Sequence, residues 1–263
     1  MNFTKTVGHE KQKRLFFRAI ENGRLAHAYA FAGQEGIGKT AFALELAEIL
    51  GADSVLDLFV IGEEEGSVSA EQARALHAKL SLAPAGKCKV AVIKADGLTE
   101  EAANSLLKIL EEPPKHSYIF LTAANFCALL PTIASRVQKM QFSRVADSEM
   151  AGMFSEEILG LAQGRFGLAK RLSDDESFLE FVRSCDAGLL SLEQGKLAER
   201  LQTAEKIAAL ETPRIVFFLR YGLERQAADF KTPFLAKKLY TALADIEYNV
   251  NVKLSMDNLF LLI

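Results

Sequence analysis

Eight residues near the start of the chain have the types and spacing of a phosphate-binding loop. Residues 33–40 read GQEGIGKT and match the pattern G-x-x-x-x-G-K-[ST] at every fixed position. Glycines let backbone N–H groups turn toward a phosphate, and a helix that begins there adds partial positive charge. The lysine of such a loop contacts the outer phosphates, and the threonine holds Mg²⁺. The residues predicted to bind nucleotide phosphates are Gly33, Gly36, Gly38, Lys39 and Thr40.

The segments on both sides of the loop have the pattern needed to position it. Residues 28–32 form a short apolar run, and residues 41–50 are strong helix formers. A strand, a glycine loop and a helix in this order support a phosphate-binding site over the alternative, an ordinary glycine turn. An unoccupied relic of such a loop remains a second alternative.

The composition of the chain excludes several functional classes. The net charge of -3 over 263 residues argues against a protein whose main role is to bind nucleic acid alone. Cys88, Cys127 and Cys185 lie far apart without zinc or redox spacing, so we predict no zinc and a reducing compartment. Because we find no signal peptide and no membrane-length apolar run, we predict a soluble, cytoplasmic protein without a membrane partner.

Strand and helix patterns alternate through the first half of the chain, which predicts an α/β domain with a parallel sheet over residues 1–145. The predicted strands are 28–32, 57–61, 89–93, 118–123 and 137–142. The predicted helices are 10–22, 39–50, 71–80 and 99–111.

The rest of the chain has a helical pattern and is predicted to form two domains. A small domain over 146–188 should contain short helices with breaks near Gly160, 164–167 and 173–174. Longer helices should follow over 189–263. Their breaks are predicted near 212–213 and 232–233.

Four segments together resemble the AAA+ clamp-loader family of bacterial DNA polymerase III. Residues 27–33, HAYAFAG, resemble the family's HAYLFxG, and residues 104–114, NSLLKILEEPP, resemble NxLLKxLEEPP. Residues 131–136, PTIASR, resemble PTIxSRC with valine replacing the cysteine that follows. Residues 249–254, NVNVKL, resemble the NxNxxL of the C-terminal collar helices. The resemblance spans nearly the whole chain.

This resemblance implies a fold and a set of partners. It implies a P-loop AAA+ domain with a parallel sheet, then a small helical lid and an all-helical collar for oligomerisation. The partners implied are motor subunits of the gamma/tau type and a delta subunit in a hetero-pentameric ring. Through that ring the chain would help place a sliding clamp on primer–template DNA during replication.

The resemblance also reveals missing hydrolysis residues. An active member has Asp-Glu after its third strand, but counting back from Asn104 places Ile93 and Lys94 there, with Asp96 out of register. The sensor threonine falls on Ala123 or Ala124, with Asn125 a possible substitute, and the sensor arginine of the lid falls on Gly167. These departures favour the delta-prime type, with little or no ATPase activity alone. The alternatives are an active motor subunit of the gamma/tau type, a P-loop kinase and a lone DNA-binding module.

The resemblance makes Arg136 an arginine finger that acts in trans on the ATP site of a neighbouring subunit, the alternative being an ordinary surface arginine. Asn249 and Asn251 would satisfy polar groups in the collar or lie on a solvated helix face. The four-cysteine zinc module that family members carry after the first P-loop helix is absent after Leu50, which strengthens the prediction of no zinc.

Overall fold

The computed structural model describes residues 3–62, 68–229, 233–247 and 251–261. The chain divides into two compact units, Met1–Lys170 and Arg171–Ile263. Within the described ranges, no helix is both long enough and apolar enough to cross a membrane.

The first unit is built on a five-stranded parallel sheet with the order β2-β3-β4-β1-β5. The α/β class and the five predicted strands are confirmed, with ends that differ by one residue at most. The strands are β1 (Ala28–Ala32), β2 (Leu58–Ile61), β3 (Lys89–Lys94), β4 (Ser117–Ala123) and β5 (Gln138–Gln141).

The burial of each strand follows its place in the sheet. The three inner strands β1, β3 and β4 are almost wholly buried, which explains their continuous apolar sequences. The two end strands are more exposed, and β5 is polar except for Met140. Lys139 of β5 places its ammonium 4.9 Å from the ring centroid of Phe126.

Helices cover both faces of this sheet. Those of the unit are α1 (Glu10–Glu21), α2 (Lys39–Leu50), α3 (Ala70–Leu80), α4 (Glu100–Glu111), α5 (Pro131–Ala134), α6 (Asp147–Met150), α7 (Glu156–Ala162) and α8 (Phe166–Asp174), the last crossing the unit boundary. Helices α1 and α2 pack on one face with a cluster of phenylalanines, and α3 and α4 pack on the other against aliphatic residues. Thr99 begins α4 as predicted, because its Oγ1 accepts a hydrogen bond from the N–H of Ala102 at 3.1 Å.

The short connection between α2 and β2 is held by one buried carboxylate. Asp57 accepts hydrogen bonds from the N–H groups of Ala85 at 3.0 Å and Gly86 at 2.6 Å. Its Oδ1 also lies 3.2 Å from the Nζ of Lys89, and both side chains are buried. The N–H of Lys87 donates to the carbonyl of Gly51 at 2.8 Å. This backbone bond also joins the connection between α2 and β2 to the connection between α3 and β3.

The second unit is helical in every described segment, in agreement with the sequence pattern. Its helices are α9 (Glu176–Gln194), α10 (Leu197–Ala208), α11 (Thr212–Asp229), α12 (Pro233–Glu247) and α13 (Val252–Leu261). Near the end of the chain Leu259 and Phe260 are buried, and the Phe260 ring stacks on Phe218 at 6.4 Å. The apolar end of the chain thus packs into this unit through Leu259 and Phe260, whereas Leu261 is exposed.

The helical part of the chain differs from the prediction at two places. The predicted break near Gly160 is wrong, because Gly160 lies inside α7, which begins at the cap Ser155 and ends at Gln163 in a left-handed conformation. The predicted domain boundary after residue 188 falls within α9, whereas the two units meet at residue 170. The division into three domains stays a prediction.

The collar signature is only partly described. Asn249 lies outside the described residues. Asn251 is exposed, and its Oδ1 accepts a hydrogen bond from the N–H of Leu254 at 3.3 Å, so it caps the start of α13. This local contact accounts for the asparagine without an inter-subunit partner.

Candidate phosphate-binding loop and exposed arginine

Residues 33–38 connect the end of β1 to the start of α2 and bring the predicted loop residues together. The N–H of Gly33 donates to the carbonyl of Ala123 at 3.0 Å, which ties the loop to the neighbouring strand β4. Gly36 and Gly38 have φ angles of 79° and 100°, which residues with a side chain rarely adopt. The loop therefore has the glycine-dependent backbone that phosphate binding requires.

Lys39 lies inside this loop rather than in solvent. Its Nζ donates to the carbonyl of Gly33 at 2.5 Å and to that of Gln34 at 2.7 Å, and the residue is only 8% exposed. Thr40 follows in the first turn of α2 and is partly exposed. A buried ammonium beside a helix N-terminus suits a polyphosphate, so these residues fit the nucleotide that their sequence predicts.

His9 contacts the same loop, and the sequence analysis missed it. Its Nε2–H donates to the carbonyl of Ile37 at 2.9 Å, and its ring meets that of Phe142 edge-on at 4.8 Å. Burial lowers the pKa of His9. The hydrogen bond to the Ile37 carbonyl and nearby carboxylates act in the opposite direction but only partly offset this effect. The residue therefore supports the loop as a neutral imidazole. The only hint in the sequence is the glycine directly before His9, which indicates a turn at this point. In the structure both Gly8 and His9 have positive φ.

The end of β3 lacks the carboxylates of an active ATPase. Ile93 is fully buried, and the Nζ of Lys94 lies 3.8 Å from Oε1 of Glu35 in the loop. The nearby Asp96 does not substitute for them, since its Oδ1 accepts a hydrogen bond from the N–H of Ala124 at 2.7 Å. Asn125 uses its Oδ1 to cap a short turn through the N–H of Cys127 at 2.9 Å. Thus the structure places a cation, not an acid, beside the loop.

The first turn of α8 packs directly on the phosphate loop. The N–H of Leu168 donates to the carbonyl of Gly36 at 3.0 Å. A Cβ at Gly167 would lie 2.8 Å from that same carbonyl oxygen, so a side chain there requires the two backbones to separate. The neighbouring Arg165 is 3% exposed and donates from Nε to the carbonyl of Ala162 at 3.0 Å. Position 167 therefore offers no arginine to a phosphate.

The structure describes no obvious metal site. In residues 3–62, 68–229, 233–247 and 251–261, no three or more His, Cys, Asp or Glu side chains are grouped so that they could hold a metal ion. Cys88 and Cys185 are buried thiols, and burial raises their pKa to about 11 and about 12, while Cys127 is exposed. The absence of structural zinc stays a prediction.

Arg136 lies at a different edge of the same unit, between the end of α4 and the start of β5. Its Nη2 lies 2.6 Å from Oε1 of Glu111, and its Nη1 donates to the carbonyl of Thr132 at 2.8 Å and to Oγ of Ser135 at 3.1 Å. The side chain is 34% exposed. The guanidinium is thus paired with a carboxylate at the end of α4 and remains partly accessible.

Comparisons with known proteins bear on both features. Residues 50–146, which include Lys94 and Arg136, match the family model described as "DNA polymerase III, delta subunit". Over 150 residues the chain is 35% identical to DNA polymerase III subunit delta' of Bacillus subtilis, which covers 49% of this chain and 46% of that protein. The chain is thus similar to a bacterial delta-prime subunit over about half of its length. It is also 26% identical over 208 residues to DNA polymerase III subunit tau of Bacillus subtilis, covering 71% of this chain and 35% of that protein.

The match to the delta-prime and tau relatives spans less than half of their length. Solved structures show the fold. A DNA polymerase III gamma subunit-related protein of Thermotoga maritima superposes with a TM-score of 0.55 at 19% identity, covering 95% of this chain and 97% of that one. A single-residue variant of RuvB from Thermotoga maritima gives a TM-score of 0.51 at 18% identity, covering 98% of this chain and 90% of that one. The predicted AAA+ fold is thus confirmed.

Proposed function

We propose that this chain is a delta-prime-like subunit of a bacterial DNA polymerase III clamp loader. The observation that carries the proposal is the pair of residues at the end of β3. Ile93 and Lys94 stand where a hydrolysing member of this fold needs Asp and Glu, yet the phosphate loop beside them is intact. The similarity to delta-prime of Bacillus subtilis supports the same assignment.

In this role the chain acts mainly on its neighbours. It joins motor subunits of the gamma/tau type and a delta subunit in a five-membered ring, which loads a sliding clamp on primed DNA in the bacterial cytoplasm. Arg136 serves as the finger that reaches the ATP site of the adjacent motor subunit. A planar guanidinium with several donors suits the charge that develops on a transferring phosphoryl group.

At its own loop the chain binds a nucleotide through its own residues. The backbone N–H groups of 36–40 and the Lys39 ammonium would hold the phosphates, and Thr40 would be the hydroxyl ligand of a metal ion. A bound ATP would supply a transferable phosphoryl group. Ile93 and Lys94 provide no group that could orient an attacking water, so the chain alone should turn over ATP negligibly.

The experiment is reconstitution. Motor subunits, delta, clamp and primed DNA are assembled with and without this chain, and ATP turnover and clamp loading are measured. The proposal expects both to require the chain. Equal loading without it contradicts the proposal.

A second candidate is an autonomous motor ATPase of the gamma/tau type. The complete phosphate loop favours it, as does the similarity to tau over 71% of the chain. Steady ATP turnover by the pure protein that Lys39→Ala abolishes would select this candidate instead.

A further inference from the structure

Lys94 ends β3 beside the phosphate loop and extends toward it. The residue pairs in register with Thr122 of β4, and its Nζ lies 3.8 Å from Oε1 of Glu35. Both side chains are about half exposed, at 49% and 61%. An exposed pair at this separation is weak, so the ammonium can exchange Glu35 for a more strongly charged anion at low cost.

The side chains at the end of β3 suit a phosphate chain better than a Mg²⁺ ion that depends on carboxylate ligands. Mg²⁺ in nucleotide sites is usually held with the help of one or two carboxylates. Here Glu35 faces Lys94, and Asp96 accepts a hydrogen bond from the N–H of Ala124. Ile93 contributes only a buried apolar side chain. A divalent cation near Lys94 would also be repelled by the like charge of the ammonium.

We propose that Lys94 is a second phosphate-binding lysine and that this loop binds the polyphosphate chain of a nucleotide without requiring Mg²⁺. Lys94 adds one positive charge to that of Lys39 and so replaces part of the charge that Mg²⁺ supplies in loops that keep the carboxylates. Lys39 approaches from the start of α2, and Lys94 approaches from the end of β3. The inference rests on the nucleotide binding proposed above, and it is independent of ring assembly.

The test measures binding by the full chain to a fluorescent ATP analogue, N-methylanthraniloyl-ATP, in Mg²⁺ and in EDTA. The wild-type affinity should change by less than about 3-fold on chelation, and Lys94→Ala should weaken it by about 10-fold in both buffers, as expected for a lost charge-assisted hydrogen bond. The matched control is Lys5→Ala, which removes a lysine from another exposed pair, with Glu48. It should bind like the wild type. Melting temperatures of all variants establish that they are folded.

Three results would overturn the proposal. The first is that EDTA abolishes binding of the ATP analogue to the wild type, and the second is that Lys94→Ala and Lys5→Ala bind it with equal affinity. The third is that the folded wild type does not bind it. Competition separates recognition of the phosphate chain from recognition of the nucleoside: inorganic triphosphate should displace the probe from the wild type, and failure to do so also contradicts the proposal. None of these results affects reconstituted clamp loading, so the two proposals can fail separately.

Discussion

At the scale of single residues, Arg136 is the side chain through which this protein would affect a neighbour. Arg136→Ala should leave folding and assembly intact but lower the clamp- and DNA-stimulated ATPase of the reconstituted complex. Arginine fingers contribute about 10³–10⁵ in rate at the site they serve. Because other sites in a ring keep their own residues, the bulk loss should be smaller. The loss is measured as steady-state ATP turnover and clamp loading by the reconstituted complex at saturating ATP.

Two variants control for this experiment. Arg14→Ala removes an exposed arginine whose Nε donates only to the carbonyl of Glu10, and it should leave turnover unchanged. Glu111→Gln removes the ion pair but keeps the guanidinium, so it should retain most of the turnover that Arg136→Ala loses. Wild-type turnover by Arg136→Ala would make Arg136 an ordinary surface residue.

The sequence predicted these residues unevenly. The phosphate loop was predictable because its residues are contiguous and their spacing is set by the chemistry. The supporting contacts were not, since His9 reaches Ile37 and Arg136 reaches Glu111 across long stretches of chain that only the folded sheet brings together. The same holds for Lys94, whose position was predicted but whose contact with Glu35 was not.

At the scale of elements, the connection from α2 to β2 depends on Asp57. Asp57→Asn should lower the free energy of unfolding by about 3 kcal/mol, because it leaves the buried Lys89 ammonium without its charged partner. The matched control is Asp53→Asn, since Asp53 accepts only from the exposed N–H groups of Val55 and Leu56 and should cost about 1 kcal/mol. Urea unfolding compares the two variants. Equal losses would contradict the role given to Asp57.

The same carboxylate should make stability depend on acid. Burial alone would raise the pKa of Asp57, but hydrogen bonds from Gly86, Ala85, Asp53 and Lys89 outweigh it and lower the pKa from 3.8 to about 2. A folded-state pKa below the unfolded value means that the ionised group stabilises the protein above pH 3.8, and that this stabilisation is lost as the pH falls toward about 2. Unfolding of wild type and Asp57→Asn across this range should show their difference shrinking. A difference in the free energy of unfolding that stays constant over this pH range would contradict the role of the Asp57 charge.

Elements were predicted better where the pattern was strong. Inner strands are apolar because helices cover both faces of the sheet, and the Thr99 cap and the Pro113-Pro114 stop mark α4 clearly. The error at Gly160 has a physical cause: apart from its chain neighbours and the backbone of its own helix, no atom of the described residues lies within 4 Å of the position a Cβ would take there. An isolated glycine on an open helix face costs only about 1 kcal/mol, so the helix continues through it.

At the scale of the whole molecule, the helical second unit is expected to drive assembly. A chain that ends at Asp175, between α8 and α9, should fold but fail to co-elute with motor and delta subunits. This end point leaves out α9 as a whole and does not cut it. Circular dichroism and a cooperative melt establish folding, and size-exclusion chromatography with the partners measures assembly. Co-elution equal to that of the full chain would contradict the collar assignment.

The polar end strand β5 bears on how the protein behaves when concentrated. A strand at the end of a sheet offers free backbone groups on one side, which can recruit a strand from another molecule and begin aggregation. Gln138, Lys139 and Gln141 are exposed there, and the lysine charge opposes the approach of a second copy. Copies of this domain should therefore remain dispersed in concentrated stocks. Replacing Lys139 with isoleucine would remove that protection and should appear as rising light scattering over storage.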